Sequence, residues 1–333
     1  MQSLLSQQPR IELGHLPTPL EAMDRLSDAL GGPRIWIKRD DATGLAAGGN
    51  KTRKLEFLLG QAQQEGADTI ITFGAIQSNH ARQTAAACAK AGLECHLILG
   101  RSVNWNNPHY ETSGNILLDK LLGATIHYIE PDDRGNKHAS LLETLTVKGK
   151  NVFTIPTGGS NKTGALGYVQ CVEELIVQCK SYKIQPDKIF FASASGGTQA
   201  GLIAGSIAHD SPWDIIGINV YEKNASKFDK RINKLATETA AGNPLNASIS
   251  ASKVIVDHRH LGNGYGIPTP ETIEAINLLA QTEAVILDPV YSGKGMSGLI
   301  HQVRNDELSG ADDVIFIHTG GIPSLFVYEN AFL

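Results

Sequence analysis

Lys188-Ile-Phe-Phe-Ala-Ser-Ala-Ser-Gly-Gly-Thr-Gln-Ala-Gly-Leu-Ile-Ala-Gly-Ser-Ile207 passes from a short apolar run, through a glycine turn, into a second apolar segment. An apolar run without polar alternation reads as a strand buried on both faces, and such strands belong to parallel sheets covered by helices. Strand, glycine turn and helix start together aim free backbone N–H groups and the positive helix end at one point, a cradle for a small phosphate. The hydroxyls of Ser195 and Thr198 add donors there. A glycine turn of this kind serves close helix packing equally well, so the turn alone leaves both readings open.

Working outward, Ile35–Lys38, Thr69–Thr72, His96–Leu99, Thr125–Ile129, Val152–Ile155, Ile215–Val220, Ala284–Leu287 and Val314–His318 read as further strands beside Lys188–Ala192. Between them Lys54–Glu65, Arg82–Ala91, Gly114–Leu122 and Thr272–Thr282 carry apolar residues at helical spacing, as crossovers between parallel strands require. The class is α/β. A length of 333 residues, at roughly 150 per domain, suggests two domains. Glycine-rich seams at Thr157–Gly164 and Gly44–Asn50 make one of them discontinuous: residues 1–50 with 161–333 as a large domain, 51–160 as a small one. Lys227–Ser252 is poorly periodic and reads as a surface helix and loop without chemistry.

Composition narrows the partners. Twenty-nine basic against 34 acidic side chains give a net charge of −5, so no global field attracts nucleic acid or an anionic membrane. The N-terminal residues lack a basic stretch followed by a long apolar run, and the expected location is cytoplasmic. Cys88, Cys95, Cys171 and Cys179 are spaced neither as a metal knuckle nor as a disulfide framework, and read as buried free thiols. His258-Arg-His260 lacks a third convergent donor, so no metal is expected. Trp105 and Tyr110, set among asparagines, read as part of a surface connection.

Two further glycine motifs are decoys. Gly44-Leu-Ala-Ala-Gly-Gly49 has Asn50 between its last glycine and Lys51, whereas a P-loop needs the two adjacent. Gly293-Lys-Gly-Met-Ser-Gly298 matches GxGxxG, yet no acidic residue ends the next strand to hold a ribose. Lys51 itself is a candidate nucleophile. It opens a helix beside Arg53 and Lys54, and neighbouring cations and burial both lower an amine's pKa.

Gly48-Gly-Asn-Lys-Thr-Arg-Lys-Leu-Glu-Phe57, Gly74-Ala-Ile-Gln-Ser-Asn-His-Ala-Arg-Gln-Thr84, the turn at 195–198, Asp288-Pro-Val-Tyr-Ser-Gly-Lys294 and His318-Thr-Gly-Gly321 follow one another in a recognisable order. From about Pro17 onward the chain resembles the pyridoxal-phosphate enzymes of the tryptophan-synthase-β-like fold (fold type II), in the branch that holds D-cysteine desulfhydrase and 1-aminocyclopropane-1-carboxylate (ACC) deaminase. The resemblance implies open, mostly parallel twisted sheets flanked by helices in each domain, bound pyridoxal 5'-phosphate and a homodimer. It further implies that Lys51 carries the cofactor covalently and serves as base, and that Asn79 bonds the cofactor's phenolic oxygen. Ser195, Gly196, Gly197 and Thr198 would hold the phosphate, and Thr319 the pyridine nitrogen. Ser78 and its neighbours Asn79 and His80 would receive the substrate carboxylate, Ser78 also handling protons, while Tyr265 and Tyr291 would face the substrate.

Within the branch, ACC deaminases typically carry Glu where this chain has Ser292 and Leu where it has Thr319. The hydroxyls here match the desulfhydrase pattern, implying β-elimination from D-cysteine to pyruvate, hydrogen sulfide and ammonia. L-cysteate sulfo-lyase shares much of the pattern and would need cations for a sulfonate, with His80 and Lys294 as candidates. A silent cofactor-binding sensor is the non-enzymatic alternative.

Overall fold

The computed structural model describes residues 3–242 and 244–333. Its strands are β1 (Leu20–Ala22), β2 (Arg34–Lys38), β3 (Thr69–Ala75), β4 (Glu94–Gly100), β5 (Thr125–Ile129), β6 (Val152–Ile155), β7 (Pro186–Ser193), β8 (Asp214–Asn219), β9 (Ile255–Asp257) and β10 (Asp313–Ile317). They form a six-stranded sheet of order β1-β2-β10-β7-β8-β9 and a four-stranded sheet of order β5-β4-β3-β6. All neighbours run parallel except the edge pair β1 and β2. Every residue of β10 is buried, as a central strand covered on both faces must be.

The helices are α1 (Asp24–Leu30), α2 (Lys51–Gln64), α3 (Asn79–Ala91), α4 (Asn115–Leu121), α5 (Arg134–Val147), α6 (Lys162–Tyr182), α7 (Gly197–Ala208), α8 (Ala225–Ala241), α9 (Pro270–Glu283), α10 (Ser292–Arg304) and α11 (Ile322–Leu325). In each sheet the chain order reverses beside a central strand: β6 returns to the far side of β3, and β10 to the far side of β7. Ligands of open α/β sheets bind outside the carboxyl ends of strands at such reversals. Here the loops leaving β3, β7 and β10 lead into one common cavity.

The structure corrects several readings. Ala284–Leu287 is not a strand: Ala284 adopts φ 55 and caps α9. Val285 and Leu287 are apolar because they pack into the core, without joining a ladder. The edge strands β1 and β9, three residues each, are too short to show a period. The surface helix read from Lys227 is present as α8, and only its poor periodicity is corrected, since its face of Phe228, Ile232, Leu235 and Ala236 is buried. Trp105 and Tyr110 pack inward instead of lining a surface connection: Tyr110 is buried, and the Trp105 ring lies 4.6 Å from that of Tyr328.

The GxGxxG decoy lies in the first turns of α10, where Gly298 faces Ile218 of β8 too closely for a Cβ, so its glycine serves packing. All four cysteines are free and buried. Among the described residues no group of His, Cys, Asp or Glu could hold a metal ion, and no helix is long and apolar enough to cross a membrane.

Candidate active site

Lys51 opens α2 directly after the glycine turn that ends at Asn50, and its amine faces a cavity of about 430 Å3. Ser78, Asn79, His80, Ser195, Gly196, Thr198, Tyr265, Tyr291 and Thr319 line the same cavity. Gly197 completes the turn between Gly196 and Thr198 at the start of α7. Side chains more than 260 residues apart in sequence thus converge, because both sheets present their carboxyl ends to this space.

Burial lowers the Lys51 amine to about 8, with the Arg82 guanidinium adding to the effect. The sequence reading credited Arg53 and Lys54. Arg53 in fact turns away to Asp40 and Glu174, while Lys54 and Lys51 bear on each other and Arg82 of α3 adds a further cation. Lys51 Nζ donates to Asn50 Oδ1 at 3.0 Å, and Asn50 Nδ2 donates to Thr198 Oγ1 at 3.1 Å. The amine and the glycine turn are therefore tied together by one asparagine.

The turn itself fits a phosphate. Gly196 caps α7 with φ 92 and offers no side chain to the first turn; Gly197 N–H donates to Ser160 Oγ at 3.2 Å, and the N–H groups that follow it are left to a ligand. A Cβ on Gly197 would lie 2.5 Å from Ser160 Oγ and 2.9 Å from Lys54 Nζ. Lys54 is fully buried, and burial followed by the charge of Lys51 holds its pKa well below the ordinary lysine value. Among the described residues its amine finds only Gly158 O at 3.2 Å and Ser160 Oγ at 3.4 Å, long contacts for a cation. A dianion in the turn would compensate both the buried amine and the open helix end. Asn50, Lys54 and Ser160 are contributors that sequence reasoning missed. For Lys54 a signal existed, since it stands one helical turn after Lys51 on the same face. A Gly197→Ala variant should lower affinity for pyridoxal phosphate about tenfold or more, because the new methyl displaces Ser160 or Lys54. Titration of the apoprotein followed by fluorescence checks this, and unchanged affinity would remove the turn from the binding site.

On the opposite side, Ser78 caps α3, its Oγ accepting from Ala81 N–H at 3.1 Å. Thr72 Oγ1 donates to Ile155 O, so His80 Nε2 must carry the proton it shares with Thr72 at 2.8 Å. Burial, then Lys51 and Lys54, hold His80 well below the ordinary histidine range, so it is neutral. Lys294 is not among the cavity residues: its amine donates to Leu261 O and Gly264 O at 2.7 and 2.9 Å, bracing the loop that carries Tyr265. Neither sequence candidate thus supplies a cation for a sulfonate. The arginines that do reach the cavity are Arg134 and Arg231, the latter donating to Ala194 O at 2.8 Å beside the glycine turn.

The hydroxyls of Tyr265 and Tyr291 are hydrogen-bonded to each other, and burial pushes both phenols up, so both remain protonated donors. Thr319 follows β10, and its carbonyl accepts from Asn50 N–H at 3.1 Å. Ser292 lies outside the lining: its Oγ donates to Asp288 Oδ1 at 2.6 Å.

An amine of lowered pKa, a glycine turn at a helix start and a sheet-end cavity fit a pyridoxal-phosphate site, and the chain belongs to the family described as "Pyridoxal-phosphate dependent enzyme", whose model matches residues 11–320. It is 43% identical over 332 residues to the D-cysteine desulfhydrase of Serratia proteamaculans (strain 568), covering 99% of this chain and 98% of that protein. Its fold is that of a crystal structure described as an ACC deaminase homologue, with a TM-score of 0.88 and 36% identity, covering 99% of this chain and 97% of the other.

Proposed function

We propose that this enzyme eliminates hydrogen sulfide from D-cysteine. D-cysteine and water give pyruvate, hydrogen sulfide and ammonia, a balance without oxidant or reductant. The observation that carries the reading is one cavity shared by the Lys51 amine, the anion cradle and a pair of protonated phenols. The 43% identity to a D-cysteine desulfhydrase supports the substrate.

Ser195 to Thr198 would hold the phosphate with Lys54 behind them, and Lys51 Nζ would carry the cofactor covalently. When bound, the cofactor supplies the electron sink for charge left at the substrate Cα. The start of α3, with Ser78, Asn79 and neutral His80, receives the substrate carboxylate at backbone N–H groups. Lys51 Nζ, the amine inside the cavity, would be the base that takes the Cα proton. Tyr291 and Tyr265, both neutral, deliver a proton to the departing sulfur, and their mutual hydrogen bond orients the donor. Thr319 would meet the ring nitrogen with a hydroxyl, and neither it nor Ser292 would bring a carboxylate there. That environment suits expulsion of a good leaving group over opening of a carbon ring.

Steady-state assay of pyruvate, 2-oxobutanoate and ammonia release with D-cysteine, L-cysteine, L-cysteate and ACC separates the readings. D-cysteine should exceed each of the others in kcat/KM by about tenfold or more, the scale of a single mismatched group in a pocket. A preference for L-cysteate or ACC would overturn the assignment, and a lack of product from every substrate would favour a sensor. The reading carries with it a homodimer, a cytoplasmic location, and the division of residues 1–50 with 161–333 from 51–160. The last is supported by a four-stranded sheet drawn wholly from residues 69–155.

A further inference from the structure

Asn79 presents an amide to the cavity, and an amide can turn either its NH2 or its oxygen toward a ligand. Only the NH2 stabilises a cofactor phenolate. The choice is made outside the cavity, by a fully buried residue at the start of α4. Asn115 Nδ2 donates to Asn79 Oδ1 at 2.9 Å and to Gln77 O at 3.1 Å, and its Oδ1 accepts from Arg82 Nε at 3.0 Å. A guanidinium N–H only donates and a backbone carbonyl only accepts, so the Asn115 amide has one permitted orientation. With its NH2 committed toward Asn79, the facing atom of Asn79 must be oxygen. Asn79 Nδ2, which makes no hydrogen bond among the described residues, is left for the cavity.

The ends of this chain of contacts are themselves fixed. Arg82 is fully buried, and its Nη1 donates to Gly48 O at 2.8 Å and to Ala46 O, in the loop that precedes Lys51. Asn115 N–H donates to Gln77 Oε1 at 2.9 Å, and Gln77 Nε2 donates in turn to Ser113 O at 3.0 Å. Flipping the Asn115 amide would set donor against donor at Arg82 and oxygen against oxygen at Gln77, both out of water, which is costly.

We infer that Asn115 is a positioning residue that polarises Asn79, fixing its amide so that the NH2 faces the cofactor's phenolic oxygen. The inference rests on the proposed role of Asn79, and the test separates the two. The readout is the pH midpoint of the holoenzyme's visible absorption without substrate. A donor on a phenolate stabilises the deprotonated chromophore, so losing it raises the midpoint. Asn79→Ala should raise it by about one unit, the scale of one hydrogen bond to a charged group. Asn115→Asp keeps the volume and the Arg82 contact but removes the NH2. Its carboxylate draws Asn79 Nδ2 away from the cavity, and the midpoint should rise by a similar amount. The decisive measurement is the double variant, which should shift no further than Asn79→Ala alone, whereas a general loosening of the site would add to it. Asn115→Leu, which removes every polar contact, provides a second series if the carboxylate disturbs folding. An Asn79→Ala midpoint equal to wild type would sink the Asn79 role and the inference with it. A shifted Asn79→Ala beside unshifted Asn115 variants, or additive shifts in the double variant, would sink the inference alone.

Discussion

Lys51→Ala should yield a folded protein that lacks the absorption band of the covalently held cofactor, with kcat for D-cysteine down by about 10⁴-fold, the upper end of the range for losing a positioned general base. The magnitude follows from where the amine sits. At pH 7 an ordinary lysine of pKa 10.5 is neutral in about three molecules per ten thousand, whereas one held at about 8 is neutral in about one in ten. Burial against the cradle thus raises the fraction of reactive amine several hundredfold before any chemistry begins. A small exogenous amine should restore part of the lost rate, since the cradle and the phenols remain in place without Lys51. Bound cofactor with undiminished pyruvate formation in the variant would refute the role given to this amine.

Much of this site was legible in the sequence because its parts are local. A glycine turn between a buried strand and a helix can be read from a few consecutive residues, and so can a lysine at a helix start. Contacts that depend on which faces meet could not be read. Arg53 and Lys54 stand beside Lys51 in sequence, yet a helix sends Arg53 toward Asp40 and Glu174 and Lys54 toward Ser160. A further cation acting on Lys51, Arg82, belongs to a different helix. His80 looked like a cation for a substrate anion, but its tautomer is set by Thr72, whose own proton is committed to Ile155. Asn115 offered no local signal, since its importance lies in a chain of donors and acceptors drawn from three segments. In the fold, the decoy resolved in the same way: Gly293, Gly295 and Gly298 matched a short pattern, but each answers to close packing, on Ile276 of α9, Ala192 of β7 and Ile218 of β8.

Arg53→Met should destabilise the protein by about 3–5 kcal/mol at neutral pH, the cost of breaking a buried ion pair by removing one partner. The Arg53 guanidinium donates to Asp40 Oδ1 and Oδ2, each at 2.9 Å, to Glu174 Oε1 and Oε2 at 2.7 and 2.8 Å, and to Thr18 Oγ1 at 2.9 Å. Arg53 and Asp40 are fully buried. For Asp40, burial pushes the carboxyl up and Arg53 outweighs it, leaving its pKa below the usual value; Glu174 is balanced in the same way. Folded-state pKa values below the unfolded ones mean that this stabilisation is fully present above about pH 4 and is lost as the pH falls through the folded values. The gap between wild type and variant should therefore be widest near neutrality and narrow in acid. Urea unfolding of the holoenzyme at pH 7 and at about pH 3, below the unfolded carboxylate values, measures both; a difference below about 1 kcal/mol at pH 7 would mean that the cluster is not held as described. Arg53→Lys should rescue little, because one ammonium cannot span two carboxylates that a planar guanidinium bridges at once. The consequence reaches the chemistry, since Arg53 fixes the first turn of α2 from the side away from the cavity. A variant that survives unfolding tests should still show a weaker grip on the cofactor, with Lys51 and Lys54 displaced together from the glycine turn they face.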